Sequence, residues 1–174
     1  MTDLERLLTL ARAQFLSDPE AALALINSTQ PNLVQAAPMG LATALAPGAT
    51  TTVSSEVPEG FVCIITRLEF YTDVPFAVAA TLYRDEKLWY VDPGLVPTTT
   101  PLRNWAEAAY RWTATYINTS AVDVNIHSTI GLYLVETQMF RNIMAVLAPL
   151  SYSISEHGTP ELAPTPGVVG FELR

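Results

Sequence analysis

Between residues 122 and 135, VDVNIHSTIGLYLV, apolar side chains recur on every second position: Val122, Val124, Ile126, Ile130, Leu132 and Leu134. That parity describes a long β-strand with one buried face and one wet face, the wet one carrying Asp123, Asn125, His127, Thr129, Gly131 and Tyr133. A slip of one residue would expose the whole apolar set, so this strand fixes the register of its neighbours and is expected at the centre of an antiparallel sheet. Residues 61–71 alternate in the same way, with Val62, Ile64, Leu68 and Phe70 on one side and Arg67, Glu69 and Tyr71 on the other. Residues 76–84 follow, with Phe76, Val78, Ala80 and Leu82 inward, and Asp85-Glu86 closes a hairpin into residues 87–91. Asp92-Pro93-Gly94 and Thr98-Thr99-Thr100-Pro101 mark a long loop, 108–118 alternate again, and a short strand is expected near 51–55. Short strands at this spacing point to a sandwich or a jelly roll.

Helical periodicity appears at the two sides of this region. Thr2 and Glu5 have capping-box spacing, and Leu4, Leu7, Leu8, Ala11 and Phe15 follow as a stripe, predicting a helix over 3–16. Ser17 and Glu20 repeat the spacing and start a second helix through about Ile26, completing a helical hairpin in residues 1–27. TQMFRNIMAVL predicts a helix over 137–148. The fold class is therefore mainly β: an antiparallel β-sandwich or jelly roll over 57–136, with the hairpin before it, one helix after the last strand, and extended arms.

The arms come from composition. Residues 21–55 contain no charged side chain, and Pro31, Pro38, Gly40, Pro47 and Gly48 break any long helix. Disordered linkers are usually apolar-poor and charged. This segment holds Leu33, Val34, Met39, Leu41, Leu45 and Val53, so residues 28–56 read as an extended arm lying in a groove, the alternative being a flexible linker. Residues 149–174, with four prolines and the apolar anchors Val168, Val169 and Phe171, read as a second arm.

Charge and chemistry narrow the function. Only 15% of residues are charged while 49% are hydrophobic. Soluble domains carry roughly 25% charge, so part of the surface is expected to be covered by protein. A net charge of -8 with scattered basic residues excludes a phosphate-neutralising patch, and no nucleic-acid partner is expected. No apolar run reaches membrane-spanning length, and the N-terminal stretch lacks the basic start of a secretion signal, so a cytoplasmic site of synthesis is expected. Without that signal, the glycosylation sequons at Asn27 and Asn118 carry little weight. Cys63, the one cysteine, sits in an apolar run and reads as a buried small hydrophobe. His127 and His157 lie too far apart for a paired-histidine metal site, no Gly-x-Ser-x-Gly or phosphate loop occurs, and Asp85-Glu86 reads as a solvated turn. No catalytic residue, metal or cofactor is expected. Trp89, Tyr90, Trp105, Tyr110, Trp112 and Tyr116 cluster in the β region. Packing accounts for the Tyr110, Trp112, Tyr116 parity, while Trp89 and Trp105, flanking the long loop, are the candidates to face a sugar or receptor.

Across PEGF at 58–61, RLEFYTDVPFAV, DPGLVPT, INTSAVDVNI and GLYLVE, the chain resembles β-sandwich accessory capsid proteins of tailed bacteriophages, of the decoration or cement type. The resemblance covers about 57–135 and rests on phrasing and strand rhythm. It implies a jelly-roll-like domain located in the virion, often trimeric, whose partners are its own copies and other capsid proteins, with terminal arms tethering neighbours. On that expectation, removing the first 55 residues would leave a folded sandwich that no longer assembles.

Overall fold

The computed structural model describes residues 2–155. The helices α1 (Asp3–Ser17) and α2 (Pro19–Thr29) lead into strands β1 (Val34–Ala36), β2 (Met39–Leu45), β3 (Thr50–Glu56) and β4 (Phe61–Thr72). Strands β5 (Val78–Arg84), β6 (Lys87–Asp92), β7 (Thr98–Ala108), β8 (Arg111–Asn118) and β9 (Val124–Glu136) follow, and α3 (Thr137–Ser155) ends the described chain. All strand pairs are antiparallel and form two sheets packed as a sandwich. In the first, the order is β1-β9-β4-β7 with β2 also paired to β9; in the second it is β3-β8-β5-β6.

The predicted central strand is central. β9 pairs with β4 on one side and with β1 and β2 on the other. Val124, Ile126, Ile130 and Leu132 enter the core between the sheets, and Ser128, the one polar residue of that parity, is hydrogen-bonded there at 2.6 Å to the Tyr116 hydroxyl of the second sheet. The opposite face is wet only in its first half. Asn125 and His127 are exposed, but Tyr133 and Val135 are covered by a second core built from Leu8, Phe15, Leu23, Ile26, Met139 and Ile143 of the three helices.

A bulge sets up this division of labour. The register of β4 shifts between Ile65 and Arg67 against both of its neighbours. An inserted residue reverses which face the following side chains occupy. Val62 and Ile64 therefore face the helices, whereas Leu68 and Phe70, which simple alternation groups with them, face the inter-sheet core together with Cys63 and Ile65. The extra residue, Thr66, is fully buried, and its Oγ1 donates to the Gly131 carbonyl at 3.4 Å. A Cβ at Gly131 would stand 3.1 Å from both that oxygen and the Arg67 Cβ, so any larger residue there would have to push the bulge aside by a few tenths of an ångström.

Several expectations change. Residues 28–56 are not an arm lying in a groove: besides β3, the strand expected near 51–55, residues 34–45 supply two more strands of the chain's own sandwich, which starts there and not at 57. β3 is rich in Thr and Val, which favour strands, and the alternating burial of β2 and β3 gives each one covered face. The long loop is short, because Thr98-Thr99-Thr100-Pro101 begins β7, an edge strand, where proline is tolerated. Leu95 plugs the remaining connection, fully buried and bonded through its backbone to Val78 and Phe76. Phe76 does not point inward; it stands in a turn at φ 64° and is 72% exposed. Thr2 and Glu5 do form a capping box, but α2 is capped by Asp18, whose Oδ1 accepts the Ala21 N–H at 3.0 Å. Glu20 instead approaches Arg67 at 3.7 Å, tying the hairpin to β4. The helix expected over 137–148 runs on to Ser155, and the rest of the expected second arm, residues 156–174, lies outside the described residues.

Loss of residues 1–55 removes β1, β2 and β3 as well as the hairpin. Such a truncated chain should show no cooperative thermal transition by circular dichroism; a sharp melt would mean that the sandwich closes without these strands.

Candidate functional site

The strand directions gather two sets of turns at opposite ends of the sandwich. Residues 57–60, 85–86 and 109–110 share one end, where an open cleft of about 810 Å³ is lined by Glu56, Arg84, Asp85, Glu86, Lys87, Glu107, Tyr110 and Arg111. Asp85 and Glu86 both adopt left-handed backbone, φ 48° and 67°, the conformation of a two-residue hairpin turn. The Asp85 carboxylate accepts N–H groups of Ala109, Tyr110 and Arg111 at 2.9, 2.7 and 3.0 Å, which fastens the β5–β6 turn to the β7–β8 turn. Arg111 spans the same corner, donating to Glu86 at 2.7 Å and to Glu56 at 3.4 Å. Asp85 thus does more than close a solvated turn, and only its folded position reveals this.

Two carboxylates of the cleft are pushed in opposite directions. Burial raises Asp85, but the three backbone donors, helped by Arg84, outweigh it and hold the carboxyl below its usual range. Burial raises Glu107, and Asp85 adds to the effect. One oxygen of Glu107, Oε2, is buried with no hydrogen-bond partner. The cleft also carries an aromatic ring, since Tyr110 is 73% exposed and not part of the buried face that its parity predicts. Among the described residues no cluster of His, Cys, Asp and Glu is arranged to hold a metal ion.

The sequence-predicted sites do not come together. Val34, Met39 and Leu45 are buried, and Leu33, Leu41 and Val53 are half-buried against the chain's own two cores, so none of these six is presented as an arm contact. Val168, Val169 and Phe171 lie outside the described residues. Trp89 turns inward at a β6 bulge and meets Trp112 edge-on at 5.1 Å, so it offers no stacking platform. Trp105 lies within β7, not beside a long loop. Cys63 is buried, and burial pushes its thiol up to about 12. His127 is exposed opposite Tyr71, beside Glu69 and Thr129, in a shallow groove of about 350 Å³.

Sequence reasoning missed the outer face of the second sheet. Thr50, Thr52 and Ser54 of β3, Thr113, Thr115 and Ile117 of β8, Ala79, Thr81 and Tyr83 of β5, and Leu88 and Val91 of β6 share it. No charge interrupts these rows until Glu56, Arg84, Lys87 and Arg111 at the cleft end. Leu88, Val91 and Ile117 are exposed. The signal was present as alternate Thr and Ser positions, legible once the buried parity of each strand is known.

No family model matches the chain, and no curated protein is significantly similar to it. Among solved structures, it is similar to dimeric latent PorU from Porphyromonas gingivalis, with 8% identity and a TM-score of 0.37 over 60% of this chain and 13% of that one. It is also similar to the VP2 subviral particle of infectious bursal disease virus, with 14% identity and a TM-score of 0.36 over 59% of this chain and 32% of that one. The chain spans about a third or less of either, and superpositions this loose carry no inference about its role. Among the described residues no helix is long and apolar enough to cross a membrane.

The opposed shifts have opposite consequences for stability. A carboxyl lowered on folding stabilises above its unfolded value and loses that contribution as pH falls through the folded value; one raised on folding weakens the fold as pH rises from its unfolded value through its higher folded value. Asp85→Ala should therefore cost about 1–2 kcal/mol near neutrality through the lost backbone bonds, shrinking in acid. Glu107→Gln should raise the melting temperature near neutrality and converge with the wild type in acid. Melting temperatures measured from acid to neutral pH separate the two trends.

Proposed function

We propose that this chain is a structural protein of a virion, a capsid decoration or cement component or another minor capsid or neck protein, which acts by protein–protein association and not by catalysis. The observation that carries the reading is the strand order. Counted from β2, the first sheet runs first, eighth, third and sixth strand, and the second runs second, seventh, fourth and fifth. This is the order of the eight-stranded jelly roll, an architecture of capsid domains, lectins and cupins. Fold alone does not choose among these, so the choice rests on what this chain presents. Between the sheets, Trp112, Tyr116, Phe70, Ile130 and Leu132 are packed into one buried apolar cluster. The chain's second sheet instead offers an outer face without charges between its ends, suited to another protein, in keeping with a charged fraction of 15%. The partners on this reading are copies of itself and other capsid proteins, with neither nucleic acid nor membrane involved.

Light scattering tests the association directly. The purified chain should have a mass that is a multiple of 18.9 kDa. A monodisperse monomer at every concentration would count against the reading.

A second reading, a carbohydrate- or receptor-binding module, moves from the tryptophans to the cleft, whose lining includes the exposed Tyr110 and the charged side chains around it. Binding on a glycan array that disappears in Tyr110→Ala would favour it, and a blank array for the wild type would dismiss it.

A further inference from the structure

We propose that β3 is a self-pairing edge, at which a second copy of this chain adds its own β3 in antiparallel fashion and joins two four-stranded sheets into one. This deepens the reading of the chain as a self-associating structural protein and rests on it.

Among the described residues β3 pairs with β8 alone, and no described strand occupies its other edge. Which residues own that edge follows from two hydrogen bonds. Asn118 N–H donates to the Ala49 carbonyl and Val57 N–H to the Tyr110 carbonyl, so odd-numbered residues from Ala49 to Val57 face β8. Antiparallel ladders alternate, so Thr50, Thr52, Ser54 and Glu56 direct their N–H and C=O groups outward.

Proteins blunt such edges with proline, lysine, bulges or a covering segment. β7 contains Pro101, and β6 contains Lys87 and a bulge. The free side of β2 is rich in Ala and Gly, which strands disfavour. β3 reads TTTVSSE, with three threonines and a valine that favour strands, a continuous register, and none of these devices among the described residues.

The strand is also complementary to itself. Antiparallel pairing about Val53 sets outward-bonding residues opposite one another: Thr52 faces Ser54 of the second copy, and Thr50 faces its Glu56. The only charge then meets a hydroxyl and not a like charge. The two Val53 side chains, each half-buried against its own core, meet at the axis in a close non-hydrogen-bonded pair. The contact is isologous, and the uncharged outer faces of the two sheets become continuous across it.

Charge placement on exposed positions 52 and 54 tests both edge and register without touching the core. Thr52→Lys with Ser54→Lys sets lysine opposite lysine across the axis; Thr52→Glu with Ser54→Lys sets glutamate opposite lysine. Sedimentation velocity over a range of concentrations should show association weakened about tenfold or more in the first variant relative to the second, with the second losing affinity as salt rises. Equal association in the two variants, whether both intact or both abolished, overturns the edge while leaving self-association standing. A wild type that is strictly trimeric does the same, since a closed threefold ring has no twofold contact. A wild type that stays monomeric overturns the edge together with the structural reading.

Discussion

Everything in this fold hangs on the pairing of β4 with β9 and on the one irregularity within it. Antiparallel strands normally give each face a single fate, core or solvent. Here the Thr66 bulge reverses the side-chain order midway along β4, and Gly131 gives way to it on β9. The same two strands then serve two separate apolar clusters, one between the sheets and one under the helices. The helical layer is thus fused to the sandwich through shared strands, not appended to it.

The polar groups that are buried serve alignment. The Tyr116–Ser128 hydroxyl pair joins the sheets across an otherwise apolar interior. Burial pushes the Tyr116 phenol up to about 12, so the pair stays neutral and neither partner buries a charge. At the edge of the core, Asn118 donates to the carbonyls of Leu45 and Val122 and accepts from Ser120, binding two connections into one corner. Asp85 does the equivalent at the opposite end. Each is a short side chain that meets fixed backbone groups, so little side-chain freedom is lost for each bond formed.

Much of the secondary structure was legible in the sequence, because period-two burial shows directly wherever a strand is regular, as in β8 and β9. It failed where one residue breaks the period. Alternation alone misassigns Val62 and Ile64, since nothing in FVCIITRLEF marks Thr66 as the inserted position. It found β3 near 51–55 but misread residues 34–45, where weak alternation in Ala, Gly and Thr looks like an extended arm until an ordered neighbour provides the pairing. The tryptophan sites were inferred from their nearness to a loop that is in fact a strand. The cleft was invisible for a different reason: Glu56, Asp85 and the Glu107–Arg111 stretch are far apart in the chain, and only the convergence of three turns brings them together.

That convergence gives the sandwich an axis with distinguishable poles. One pole carries the clustered charges of the cleft, fixed by hydrogen bonds between turns. The other presents Phe76 and Val122, held out at 72% and 53% exposure by the connections around them. A block built this way can be told front from back by any surface it meets, so whatever binds it receives an orientation along with a contact.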